Sequence, residues 1–220
     1  MNAVMPTTGI LIDEFNPFIF QMLKKEALEG LESINENLTT RNGDLLSMFG
    51  QDLPKEVYFK EINKCKEAVY QEVLKKCKKL GDENPEYLDT LYYYTKGYEP
   101  GEPTPELIVE RTWINYQHPG EYVPLHQHSG LFSFVIWIKL PTEIKVGQYG
   151  LSSANGNVRH GQFEFVYTDV LGKIKTMQLA HDSSWEGKIV VFPAAMHHQV
   201  YPHHVNDVRI SISGNIRAKI

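Results

Sequence analysis

From about residue 106 onward the hydrophobic pattern has a period of two, and no helix-like segment separates one strand-like run from the next. Leu107–Tyr116 is the first run. Leu131–Leu140 is almost continuously apolar and aromatic, as a strand buried on both faces or set in a barrel wall requires, and Pro141 ends it. Phe163, Phe165 and Tyr167 alternate within Gly161–Asp169. Val170–Lys173 reads as a hairpin turn and Ile174–Ala180 as its return strand. Lys188–Phe192 and Val208–Ile216 follow. Parallel strands need long crossovers, usually helices. Short strands joined by turns therefore predict an antiparallel sandwich or barrel.

Residues 1 to about 105 read differently, as mostly helical. Leu11–Phe20 is an apolar lead-in, and Gln21–Asn35 is predicted helical. The clearest helix is Lys55–Leu80, where Tyr58, Ile62, Cys65, Val69, Val73, Cys77 and Leu80 recur at three- and four-residue steps. Gly81 is the expected stop. The lysine-rich outer face reads as a solvated surface. A short helix is expected over Pro85–Lys96, then a turn-rich linker over Glu99–Pro105. The fold class is therefore mainly β with N-terminal helices: residues 1–105 packing as a helical segment on a β core of residues 106–220. A chain of 220 residues can bury one core of that kind with a helical lobe.

Charge and apolar runs exclude several function classes. A net charge of -5 gives no indication of a nucleic-acid partner. The longest apolar run, Leu131–Ile138, is too short to span a bilayer. No basic stretch followed by an apolar core opens the sequence, so a cytoplasmic protein is expected. Cys65 and Cys77 lie twelve residues apart on one predicted helix, about 18 Å at roughly 1.5 Å per residue. That is too far for a disulfide, so two free thiols in a reducing compartment are expected.

The chemistry gathers in two segments. His126 and His128 are two residues apart at the end of a short strand, so their side chains share a face. Downstream, Gly187, a five-residue strand and the Pro193 turn lead to His197 and His198. Only one of that pair can face inward, and His198 is favoured because Val200 would share its face. His197, His203 and His204 are expected at the rim, and His118, His160 and His181 have no partner at useful spacing. His126, His128 and His198 are thus candidate ligands of a three-point metal site. Arg209 stands within the apolar strand Val208–Ser213, where a cation is costly unless an anion meets it. Its planar fork matches a carboxylate, and Ser211 adds a hydroxyl on the same face. The anion is either that of a bound acid or a protein carboxylate such as Asp169 or Asp182.

These segments resemble known families. Gly120 before the His-x-His pair, and the Gly187-to-His198 segment, are similar to the two motifs of the cupin superfamily. The glutamate expected after the pair is missing: Phe132 or Ser133 stands there. The fuller resemblance is to the iron(II) and 2-oxoglutarate-dependent oxygenases, in their small prolyl-hydroxylase-like branch found in phages and marine bacteria. It is carried by Thr112–Tyr116, Gly120–Tyr122, Pro124–Gly130, Gly187–Pro193, His198–Val200 and Arg209–Asn215, within residues 107 to 216.

That resemblance implies a double-stranded β-helix, the cupin-like jelly roll. It implies Fe(II) held by His126, His128 and His198, with 2-oxoglutarate and O2 as co-substrates. Arg209 and Ser211 would bind the distal carboxylate, Tyr116 would also reach the co-substrate, and Asn115, Tyr122 and Asn215 would line the pocket. Most members carry a carboxylate where this chain has His128, so Glu121 or Asp182 could complete the triad instead. The implied reaction hydroxylates a C–H bond of a peptide or small molecule, releasing succinate and CO2. Part of the aromatic set Phe132, Phe134, Trp137, Phe163 and Phe165 would keep the pocket dry. A cytoplasm, of the host cell if the chain is phage-encoded, is the implied location, and a homo-oligomer is open. Two alternatives stand beside this reading: a cupin-like three-histidine protein that does not use 2-oxoglutarate, and a metal-free jelly-roll binding protein.

Overall fold

A computed structural model describes residues 9–40, 66–83, 106–141, 160–169, 171–180 and 182–219. Nine strands and two helices lie among them: β1 Leu11–Glu14, α1 Pro17–Thr40, α2 Lys66–Glu83, β2 Leu107–Gln117, β3 Val123–His126, β4 Phe132–Lys139, β5 Phe163–Thr168, β6 Ile174–Leu179, β7 Lys188–Pro193, β8 His197–Val200 and β9 Arg209–Ala218. The predicted helix at 85–96 and the linker at 99–105 fall outside the described residues, as do Cys65, Val170 and His181.

The strands form two antiparallel sheets. The larger has the order β1-β7-β4-β9-β2 and the smaller β3-β8-β5-β6. The run of short strands without helical crossovers predicts an antiparallel sandwich or barrel, and the arrangement is the jelly roll, a double-stranded β-helix, that the family resemblance implies. Period two then sorts the side chains. On β4, Phe132, Phe134, Ile136 and Ile138 join the apolar cluster that includes Leu23 and Ala27 of α1 and Val69, Val73 and Cys77 of α2. Val135 and Trp137 turn the other way and pack with Phe163, Phe165, Val190 and Phe192 between the sheets. The larger sheet is thus covered by helices on one face and by the smaller sheet on the other. That explains why Leu131–Leu140 reads as continuously apolar.

Three local expectations change. β1 lies in the segment read as a helical region's lead-in, yet it pairs with β7 as an edge strand of the larger sheet. Four residues are too few to establish a period. Gly81 does not end its helix: α2 continues to Glu83, with Gly81 itself buried. Of the expected aromatic wall, Phe134 and Phe163 line the cavity, joined by Phe192, whereas Phe132 packs in the helix-facing core and Phe165 and Trp137 in the apolar layer between the sheets.

β9 carries the sorting to its limit. Ile210, Ile212 and Ile216 face the helices, while Arg209, Ser211, Ser213 and Asn215 alternate with them and are all buried. Gly214 lies on the helix side. A Cβ there would sit 2.5 Å from Cε1 of Phe134 and 2.6 Å from the Arg111 carbonyl oxygen. The carbonyl belongs to the paired strand and cannot retreat. Gly214→Ala is expected to cost about 1–3 kcal/mol through overpacking, lowering the thermal midpoint by roughly 3–10 °C. An unchanged midpoint would mean that β2 and β9 separate more easily than their ten paired positions suggest.

Candidate active site

The β2–β9 register places four cross-strand pairs along one wall: Gln117 opposite Arg209, Asn115 opposite Ser211, Trp113 opposite Ser213 and Arg111 opposite Asn215. These residues line a cavity of about 410 Å³ together with His126, His128 and His198. A cavity of this size suits a small-molecule site.

The three histidines come together as their spacing predicts. His126 ends β3 and pairs directly with His198 on β8. His128 follows in a segment held by the bond from its backbone N–H to Ala194 O, 2.8 Å. One ring nitrogen from each lies within 4.8 Å of the others. Ring centroids are 4.2 Å apart for His126 and His198, 4.8 Å for His126 and His128, and 5.0 Å for His128 and His198. His197 is exposed and His198 is 3% exposed, so the strand parity selects His198.

The rings are prepared as metal ligands usually are. Nδ1 of His126 lies 2.8 Å from Pro124 O, and Nδ1 of His198 lies 2.9 Å from Met196 O. A carbonyl only accepts, so each Nδ1 carries the proton and Nε2 keeps its lone pair. Burial pushes the pKa of His198 down to about 3; the bond to Met196 opposes this, and the neighbouring histidines add to it. His198 is therefore neutral at ordinary pH, the form that binds metal. Phe163 stacks on it at 5.3 Å, and Phe192 meets it edge-on at 5.0 Å. The donor set fits a divalent first-row ion, and three imidazoles suit iron, nickel, copper and zinc alike.

Among the described residues, Glu121 and Asp182 do not join this group. Glu121 accepts the His118 backbone N–H at 2.7 Å through its Oε2, and Asp182 accepts that of Ser184 at 2.8 Å.

Arg209 is 3% exposed, and among the described residues no carboxylate pairs with it. Asp169 spends its Oδ1 on the Leu171 and Lys173 backbone N–H groups in the β5–β6 turn. Arg209 Nη1 donates to Gln117 Oε1 at 3.2 Å, and Nε has no partner. Burial draws the guanidinium down to about 10, which leaves it charged at neutral pH. An uncompensated buried cation facing a cavity is the arrangement that a carboxylate ligand completes.

Asn115 stands beside these groups, 3.5 Å from Ser211 Oγ and 3.1 Å from Ser213 Oγ through its Nδ2. Asn215 accepts from Ser133 Oγ at 3.0 Å, and Tyr122 lines the cavity half exposed. Tyr116 does not join them. Adjacent to Asn115 on a strand, it points to the opposite face, where its hydroxyl donates to Ala27 O of α1 at 2.8 Å. His203 is likewise not at the rim: it is fully buried, with Nε2 3.0 Å from Gln117 O.

Residues 111–215 match a family described as "Putative 2OG-Fe(II) oxygenase". No curated protein matches the chain. Among solved structures, HygX from Streptomyces hygroscopicus, with nickel and 2-oxoglutarate bound, is 12% identical over 97% of this chain and 84% of its own, at a TM-score of 0.51. A Pseudomonas putida prolyl-4-hydroxylase is 14% identical over 97% and 90%, at 0.41. An oxidoreductase of the 2OG-Fe(II) oxygenase family from Burkholderia pseudomallei is 18% identical over 52% of this chain, which spans 47% of that protein, at 0.38.

Proposed function

Residues 111–215 belong to the 2OG-Fe(II) oxygenase family, and from that premise we propose that His126, His128 and His198 hold the iron while Arg209 and Ser211 receive the far carboxylate of 2-oxoglutarate. The chain is a 2-oxoglutarate-dependent non-haem iron oxygenase. When bound, the iron with 2-oxoglutarate and O2 supplies the oxidation: the co-substrate leaves as succinate and CO2, and one oxygen atom enters a substrate C–H bond.

The rest falls to the protein's own groups. The backbone carbonyls of Pro124 and Met196 fix two imidazoles in the tautomer that presents Nε2. Phe163 and Phe192 exclude water from one side of His198. Arg209 offers two-point hydrogen bonding to a carboxylate, and Ser211 adds a hydroxyl one rung along the same strand face. The observation that carries the reading is a single cavity holding both a three-imidazole cluster and a buried arginine without an acid.

The wall also orders the site. Successive inward residues of a strand stand about 6.8 Å apart. Gln117 and Asn115 face Arg209 and Ser211, while the Trp113 ring lies 5.5 Å from that of His128. A co-substrate stretched from Arg209 to the histidines leaves the far end, with Trp113 and Arg111, for the substrate. That substrate is a peptide or small molecule with the reacting C–H directed past Trp113.

An anaerobic titration of the apoprotein tests this. Fe(II) and 2-oxoglutarate together should give a visible metal-to-ligand charge-transfer band that neither gives alone. Bound Fe(II) with no such band would move the assignment to a three-histidine protein of other chemistry.

A further inference from the structure

Gln117 is the side chain that touches Arg209, and it is itself unusually constrained. It stands directly opposite Arg209 in the β2–β9 register and is 7% exposed. Its Nε2 donates to Glu121 O at 2.7 Å and to Tyr201 O at 3.1 Å. Both partners are carbonyls and accept only, so the nitrogen end of the amide must face them. Oε1 is thereby directed at Arg209 Nη1, 3.2 Å away. The Gln117 backbone is held as well, since its carbonyl lies 3.0 Å from Nε2 of the fully buried His203.

The choice of an amide has a consequence that a carboxylate would reverse. A neutral acceptor orients the guanidinium without cancelling its charge. Glutamate at the same position would form an internal ion pair with Arg209, which an incoming carboxylate would have to displace. It would also set an oxygen against two carbonyl oxygens.

We propose that Gln117 is a positioning residue that aims Arg209 into the cavity while leaving its charge uncompensated, and so sets the preference for a dicarboxylic over a monocarboxylic 2-oxo acid. The inference rests on Arg209 being the co-substrate clamp. It is distinct from that assignment, because Gln117 acts only through Arg209.

The test is calorimetric and needs no turnover. The protein loaded with Mn(II) is titrated with 2-oxoglutarate and with pyruvate, which lacks the distal carboxylate. Wild type, Gln117→Glu, Gln117→Met and Arg209→Met are compared, with thermal unfolding as the check on folding. Gln117→Glu should weaken 2-oxoglutarate about 10- to 100-fold, the size of a lost charge-assisted hydrogen bond. Gln117→Met should weaken it about 3- to 10-fold, and pyruvate affinity should stay close to wild type in both. If Gln117→Glu does not fold, Gln117→Met decides. Equal losses for both acids, or none, while Arg209→Met abolishes the preference, would overturn the role of Gln117 alone. A preference that survives Arg209→Met would remove the clamp assignment and the inference with it.

Discussion

His198→Ala should leave the protein unable to retain Fe(II). The loss is expected to exceed the 10- to 100-fold typical of a lost outer-sphere partner, because a direct donor is removed, so an affinity fall of about 100-fold or more is anticipated. Metal content after dialysis and direct titration would read it, with His197→Ala, on the exposed side of the same strand, holding metal like wild type. Wild-type metal content in His198→Ala would break the triad. The variant should also change the apoprotein's response to acid. The pKa of His198 falls on folding from the ordinary 6.5 to about 3, chiefly through burial. Between those values the unfolded chain binds a proton that the folded chain refuses. Its contribution is therefore intact above about pH 6.5 and is lost as the pH falls toward 3. Denaturant titrations should show a shallower decline over that window in the alanine variant.

Arg209→Ala has the second large effect, and it should act in opposite directions on binding and on stability. Truncating one partner of a buried charged pair costs about 2–5 kcal/mol. 2-Oxoglutarate should then bind about 30- to 4000-fold more weakly, seen as a charge-transfer band that needs far more co-substrate to form. The ligand-free protein should not suffer in proportion. There Arg209 is a buried cation with a single neutral acceptor, and removing an uncompensated charge relieves a desolvation cost. An unchanged or slightly raised melting temperature with ruined co-substrate binding is the expected pair of results. Undiminished 2-oxoglutarate binding would sink the assignment.

The main lines of both the fold and the cavity can be read in the amino-acid order because period two is so strict here. Arg209, Ser211, Ser213 and Asn215 alternate with three isoleucines and Gly214, and the opposed faces of β9 follow directly. The same parity separates His198 from His197. Where parity was not applied, the reading fails: Asn115 and Tyr116 are neighbours and cannot share a face, and it is Tyr116 that turns to α1. Gln117 carries no sequence signal by itself, since glutamines abound. Counting two residues on from Asn115 would have placed it on the cavity wall, but only the β2–β9 register sets it against Arg209. β1 was missed because four residues with one buried leucine do not define a period. Gly81 misled because a buried helix can carry a glycine where a neighbour packs close, whereas a stop needs a left-handed residue beyond the last turn.

The strand order of the larger sheet also fixes when its parts can come together. β1 pairs with β7, β4 with β7 and β9, and β2 with β9, so Leu11 meets Val191 and Trp113 meets Ser213. Among the described strands only β5 and β6 form a tight hairpin. Nearly all the ladder bonds of the larger sheet must therefore wait for long loops to close, an entropic debt that slows folding relative to chains rich in local contacts. The wall that carries Arg209 and Ser211 stands on the last strand of the series and against a partner almost a hundred residues earlier. Its anion-binding face cannot exist in any partly assembled form that lacks β9. Loading with co-substrate is thus a property of the finished sheet, and an early intermediate would offer at most the hairpin and the surfaces beside it.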